Sequence, residues 1–182
     1  MQHVMIDLET LGTKSNSVVL SIAAIQFDLN SGETGAEFKV NISLQDCINS
    51  GFEIQATTLH WWLTQKHEIM LKMFETSRGV IDALNCFSTF FKSNNLVYPW
   101  GNSARFDLQL LENVYDKLNV PIPWNFRNER CYRTIVNMVP KIQIEKPIDA
   151  HDPLIDCKYQ ITKLFEVFKI LKKGIVADSI IF

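Results

Sequence analysis

The 182-residue chain predicts an α/β domain in which helices flank a mixed central sheet. Three observations carry that prediction. Residues 4–7, 18–27 and 37–42 are strand-like runs separated by polar turns, as in a hairpin or meander with the amino terminus central. Residues 77–92, 106–118 and 153–172 repeat apolar side chains at helical spacing. A further buried-strand run, residues 96–100, stands between the first two of these helices. No internal repeat or low-complexity stretch divides the chain, so one domain over residues 1–182 is expected.

Each element has a local cause. The polar stretch from Gly12 to Ser17 cuts off the first strand, and Asn30, Ser31 and Gly32 turn the second into the third. Residues 44–56 fit neither period. Thr57 or Thr58 is placed to cap a short helix carrying Leu59, Trp61, Trp62 and Leu63, and Thr64 to cap the next, over about residues 65–74. Ser77 is the expected cap of a longer helix whose Val80, Ala83, Leu84, Phe87, Phe90 and Phe91 share a face, with Asn94 and Asn95 ending it. Gly101 closes the strand before it, and Leu110, Leu111, Val114 and Leu118 line the next helix. Pro121 and Pro123 hold an extended link. Residues 131–139 read as a short helix and 140–147 as a loop or small hairpin arm. Asp152 as N-cap and Pro153 as first helical residue open the last helix, which Gly174 ends. The tail, residues 175–182, is apolar enough to pack back or to meet a second subunit.

Composition removes several classes. Apolar residues make up 47% and charged residues 21%, which excludes a disordered or collagen-like chain. With no uncharged apolar run of about 18 residues and no basic segment before Asp7, neither a membrane span nor a signal peptide is expected. Four cysteines without a CxxC pair read as reduced core thiols in a cytoplasmic protein. The net charge is −2; residues 1–91 carry 5 basic and 10 acidic side chains, residues 92–182 carry 13 and 10. That disfavours a basic scaffold coating nucleic acid and allows a phosphate-facing patch in the second half.

Three acidic elements carry chemistry. Asp7 and Glu9 sit two apart on a strand and so project to one side. Like charges so close repel unless a cation lies between them. Asp107 follows a strand end and a glycine turn, in the first turns of a helix, where α/β proteins place sites. Asp156 lies about one turn into the last helix, with His151 just outside in the loop. Each element alone also fits a solvated surface group. Together, four carboxylates and a histidine suit two divalent ions, magnesium or manganese by their oxygen ligands, clamping a phosphodiester. His151, with an unperturbed pKa of about 6.5, is placed to take the proton from the attacking water.

Asp7-Leu8-Glu9-Thr10, Asn102 through Asp107, and His151 with Asp156 five residues on resemble, in order, the three motifs of the DEDDh (DnaQ-like) 3′-5′ exonucleases. The resemblance implies a ribonuclease H-like fold, Asp7, Glu9, Asp107 and Asp156 as metal-binding acids, and His151 as general base. Thr10 and Leu11 correspond to residues that contact the terminal nucleotide, and Asn102 and Phe106 to neighbours of the second acid. Pro153 departs from the small residue usual there, but suits a helix start. Thr58 through Gln65, with the Trp61-Trp62 pair, is similar to a segment of phage T4-type exonuclease A and of a small bacterial exoribonuclease branch that acts as a homodimer. Adjacent residues on a helix diverge by about 100°, so one tryptophan packs and the other is offered to a base. Arg105 is a candidate phosphate contact. The expected substrate is the 3′ end of single-stranded DNA, with RNA the alternative and a non-catalytic nucleic-acid-binding module a further one.

Overall fold

The computed structural model describes residues 1–65, 67–75, 77–140, 142–145, 147 and 152–178, and the side chains of residues 67, 70 and 174–178 lie outside that description. Strand β1 (His3–Thr10) runs through the middle of a six-stranded sheet. Strands β2 (Val19–Phe27) and β3 (Thr34–Ile42) follow as an antiparallel meander. Strands β4 (Ser77–Arg78), β5 (Tyr98–Gly101) and β6 (Arg130–Cys131) pair in parallel with β3, β1 and β5, giving the order β4-β3-β2-β1-β5-β6. The sheet is mixed and its amino-terminal strand is central, as the sequence predicts.

The helices are α1 (Leu44–Asn49), α2 (Ala56–Leu63), α3 (His67–Phe74), α4 (Val80–Ser93), α5 (Asp107–Lys117), α6 (Tyr132–Val136) and α7 (Pro153–Asp178). They cover both faces of the sheet. Val4, Ile6 and Leu8 of β1 join Leu84, Phe87 and Leu111 of α4 and α5 in one core. Met5 joins Ala23, Ile25 and Phe27 of β2 and Cys157, Ile161 and Leu164 of α7 in the other. Burial on both sides is why β1 and β2 are apolar almost without interruption. Asp7, Glu9 and Ser21 therefore stand out within them.

The ambiguous stretch after β3 is helix α1, capped by Ser43, whose Oγ accepts from Asp46 N at 3.3 Å. Three expected caps move. Ser77 pairs with Asn41 as β4, and α4 begins after Gly79. The Asp46 carboxylate takes over the capping, accepting from Val80 N at 2.6 Å from 34 residues away. Neither Thr57 nor Thr58 opens α2; Gln55 does, and its side chain instead accepts from Thr13 N at 2.6 Å. Thr64 ends α2, its Oγ1 donating to Trp61 O at 2.6 Å. Local spacing proposes caps, but long-range partners compete for the same hydroxyls and amides. Asn95 ends α4 in the left-handed region, φ 51°, as asparagine tolerates. Helix α7 runs through Gly174, and the end of the tail, residues 179–182, lies outside the described residues.

Because Asp46 is the side-chain cap of α4, Asp46→Ala lowers folding stability by about 1 kcal/mol. A urea titration checks this as a lower midpoint at unchanged slope.

Candidate active site

The carboxylates meet where β1 ends. Strand alternation turns Ile6 and Leu8 into one core and Asp7 and Glu9 toward α7. At Glu9 the ladder with β2 breaks step: Glu9 pairs with Ser21 and Thr10 with Val19, leaving Leu20 as the extra residue of a bulge. Helix α7 comes down on this strand end because Cys157 is small and fully buried, its Sγ 3.6 Å from Met5 O. Asp156, its neighbour, is thereby brought to Asp7 and Glu9. Carboxylate oxygens of Asp7, Glu9 and Asp156 all lie within 4.8 Å of one another.

Asp107 opens α5 just past the end of β5 and is 3% exposed. Gly101 makes its approach possible, since a Cβ there would lie 3.0 Å from Asp107 Cβ. Ser103 N donates to Asp107 Oδ2 at 3.3 Å, a backbone clamp on the side chain. All four acids line one cavity of about 420 Å³, with Asn102, Phe106, Tyr132, Arg133, Tyr159 and Gln160. Gln160, buried one turn after Asp156, donates through Nε2 to Asp7 Oδ1 at 2.9 Å. Lys39 reaches Asp152 at 3.2 Å and ties the start of α7 to β3.

This concentration of charge is electrostatically unfavourable by itself. Burial pushes the Asp7 carboxyl well above the usual carboxylate range, and Asp107 and Asp156 push it further, against the opposing hydrogen bond from Gln160. Glu9 is raised for the same reasons, burial first and then Asp7 and Asp156. Asp107 is pushed up to about 6 by burial, with the Ser103 amide pulling the other way. A divalent cation between them would reverse the imbalance. Three clustered oxygen donors and a fourth beside them fit a hard cation of the magnesium or manganese type.

A model of the Rv2179c-like 3′-5′ exoribonuclease domain matches residues 2–168. The chain belongs to that family. Its domain is a 3′-5′ exonuclease domain of the DEDDh type, on a ribonuclease H-like fold. Among solved structures, E. coli exonuclease I in complex with a dA13 oligonucleotide is 16% identical over 94% of this chain, with a TM-score of 0.62. The nuclease domain of 3′hExo, a DEDDh family member bound to rAMP, is 12% identical over 94% of this chain and 92% of its own, with a TM-score of 0.61. Exonuclease X in complex with 5′-overhanging duplex DNA is 16% identical over 94% and 93%, with a TM-score of 0.55. The chain spans 42% of the exonuclease I chain. No curated protein sequence matches it.

Within this DEDDh domain a second cleft adjoins the acids. It is lined by Leu8, Glu9, Thr10, Thr13, Trp61 and Phe106 among others, and Leu8, Glu9 and Phe106 line the acidic cavity as well. Trp62 is buried, its Nε1 donating to Thr10 O at 2.8 Å. Trp61 packs edge-on against it, centroids 4.8 Å apart at 71°, and is 41% exposed in the cleft. The expected division of labour within the tryptophan pair thus has a geometric form. Two expected contacts lie elsewhere. Leu11 is 2% exposed and packs in the core, because the chain turns inward after the bulge; Leu8 lines the cleft in its place. Arg105 lines a separate groove with Thr13, Lys14 and Gln109 and not the acidic cavity, whose lining includes Arg133 instead. His151 lies outside the described residues. Gln160 is not among the residues expected from sequence; Arg133, spaced with Arg127 and Arg130, reads there as part of a positive rim, and of these three it is Arg133 that lines the cavity. The four-residue step from Asp156 to Gln160 is a same-face signal for Gln160.

Carboxyls raised in the folded state bind protons more tightly there than in the unfolded chain. Their stabilisation is complete below the ordinary carboxylate pKa and is lost as pH rises through the raised values, for Asp107 near 6. The metal-free protein therefore loses thermal stability as pH rises from 4 toward 8, and Asp107→Asn flattens the dependence. Manganese raises the melting temperature more at pH 8 than at pH 5. Differential scanning calorimetry with and without EDTA measures both; a metal-free protein most stable at pH 8 would contradict the account.

Proposed function

We propose that the protein removes nucleoside 5′-monophosphates one at a time from the 3′ ends of single-stranded RNA, using two magnesium or manganese ions. The observation that carries this is the meeting of Asp7, Glu9 and Asp156 at one point, with Asp107 in the same cavity. The preference for RNA over the DNA expected from sequence rests on the matching exoribonuclease domain model. DNA is the second reading, favoured by the oligonucleotide bound in E. coli exonuclease I.

Asp7, Glu9, Asp107 and Asp156 would hold the ions, which when bound supply Lewis-acid activation of water and neutralise charge on the phosphodiester. The chain's other residues position and bind. Gln160 fixes the rotamer of Asp7, and the Ser103 amide that of Asp107. His151 accepts the proton of the attacking water. Trp61 stacks on the terminal base, Thr10 and Leu8 flank its sugar, and Phe106 separates the base cleft from the scissile phosphate. Arg133 faces the phosphates from the rim. Recognition through stacking and backbone leaves base preference modest.

We assign this activity to one domain over residues 1–182, in a cytoplasmic homodimer. The four cysteines, all unpaired with one another, suit a reducing compartment. Among the described residues no helix is long and apolar enough to cross a membrane.

Matched 5′-labelled RNA and DNA oligomers with magnesium or manganese test the reading. The expected product is a ladder shortening from the 3′ end, absent with EDTA and faster on RNA. Asp7→Ala and His151→Ala reduce the rate by more than about 100-fold, the loss that removing an outer-sphere partner alone can reach. Folded, manganese-binding protein with no ladder on either substrate would defeat the assignment. Trp61→Ala raises KM about tenfold, in line with about 1–3 kcal/mol per stacked base, with kcat changed less.

A further inference from the structure

The acidic row of β1 continues across the sheet as a polar one. Glu9 pairs with Ser21, Ser21 with Asn41, and Asn41 with Ser77, so these residues share one face. Beyond Glu9, Ser21 and Asn41 line a separate cavity of about 260 Å³ between β2, β3, α3 and the start of α7. Lys39, Lys72, Glu68 and Asp152 complete its polar wall.

Two atoms of this cavity lack what burial demands. Ser21 is 0% exposed, yet its Oγ has no hydrogen-bond partner among the described residues. It is the single hydroxyl in the β2 run Val19–Phe27, otherwise apolar except for Gln26. Asn41 Oδ1 is also buried without a partner among the described residues. The Asn41 amide cannot be turned round to relieve this, because Nδ2 spends both hydrogens, on Lys72 O at 2.7 Å and Glu75 O at 2.9 Å. A buried polar group without a partner among the described residues is costly, and its retention fits a bound ligand as that partner.

We propose that this cavity is a second ligand site, taking the ribose-phosphate unit of one nucleotide. Lys39, Lys72 and the Ser21 hydroxyl supply donors for a phosphate. Asn41 Oδ1 is an acceptor fixed in place for a sugar hydroxyl. Asp152 is already engaged, pairing with Lys39 and accepting from Leu154 N at 3.1 Å, so it leaves the phosphate position to the cations. The volume falls below the 300–1,000 Å³ of ordinary ligand pockets, which suits one phosphorylated sugar and not a length of strand. The choice of a nucleotide among phosphorylated sugars rests on the exonuclease reading.

The test is calorimetric titration of adenosine 5′-monophosphate into the protein in EDTA, where the metal-free acids repel a phosphate, with Trp61→Ala and Arg133→Ala, which leave binding at this cavity intact, as controls for the neighbouring site. Saturable binding is expected, weakened about tenfold by Ser21→Ala and by Lys72→Ala, the loss typical of one charge-assisted hydrogen bond. Ser21→Ala removes only a buried hydroxyl that lacks a partner, so the unliganded melting temperature stays the same or rises. Asp7→Asn leaves this binding intact. No saturable binding at millimolar nucleotide, or loss of binding in Asp7→Asn but not in Ser21→Ala, overturns the proposal. A nuclease ladder with no binding in EDTA sinks this site alone; binding in EDTA without a ladder sinks only the exonuclease reading. If the site holds, Ser21→Ala raises KM for a hexaribonucleotide where the strand occupies it, and weakens only inhibition by the monophosphate where released product does.

Discussion

Four carboxylates forced into one cavity set the terms for the rest of this molecule. Burial and mutual repulsion both disfavour their ionised forms, so the raised carboxyls of Asp7, Glu9 and Asp107 measure a strain that the surrounding fold must hold. The fold does so by overdetermining each position. Alternation of β1 fixes which way Asp7 and Glu9 point; the missing Cβ of Gly101 lets Asp107 in; and Cys157 lets α7 settle against the sheet. Two apolar cores on opposite faces keep the sheet from relaxing away from the cluster. Such clustering is characteristic of sites whose electrostatics are completed by a cation.

The same economy shapes the neighbouring cleft. Trp62 spends its indole N–H on the backbone of Thr10 and so anchors α2 to the end of β1. Anchoring one tryptophan displays the other, and Trp61 becomes a rigid aromatic wall beside Glu9. Phe106, the last residue before α5, lines both this cleft and the acidic cavity, and the next residue, Asp107, is one of the acids. The modest net charge of −2 fits a cluster of acids whose electrostatics a cation would complete.

The polar row Glu9, Ser21, Asn41 connects the acids to the second cavity through one strand spacing on each side. Lys39 lines the second cavity and contacts Asp152, the residue before α7, on which Asp156 lies one turn later. Cavity and acid cluster therefore share a boundary at the start of α7.

The sequence by itself determined the acids and the layers. Asp7 and Glu9 two apart, Asp107 behind a glycine turn and Asp156 behind Asp152-Pro153 are local patterns, and strand and helix periods orient them without knowledge of the fold. The order of β1 to β3, α4, α5 and α7 was legible for the same reason. What it left undecided depends on residues far apart in the chain. Strands β4 and β6, two residues each, carry no period and exist only because β3 and β5 offer open edges. The cap of α4 is a carboxylate from α1, which no window around Ser77 contains. Leu11 and Arg105 sit beside the right motifs, but Leu11 is buried in the core and Arg105 lines a different groove. Arg133 and Ser21 reach their cavities through sheet order alone. Short-range spacing fixes which groups are available; tertiary packing fixes which of them face one another, because direction and distance between segments are set by what each buries.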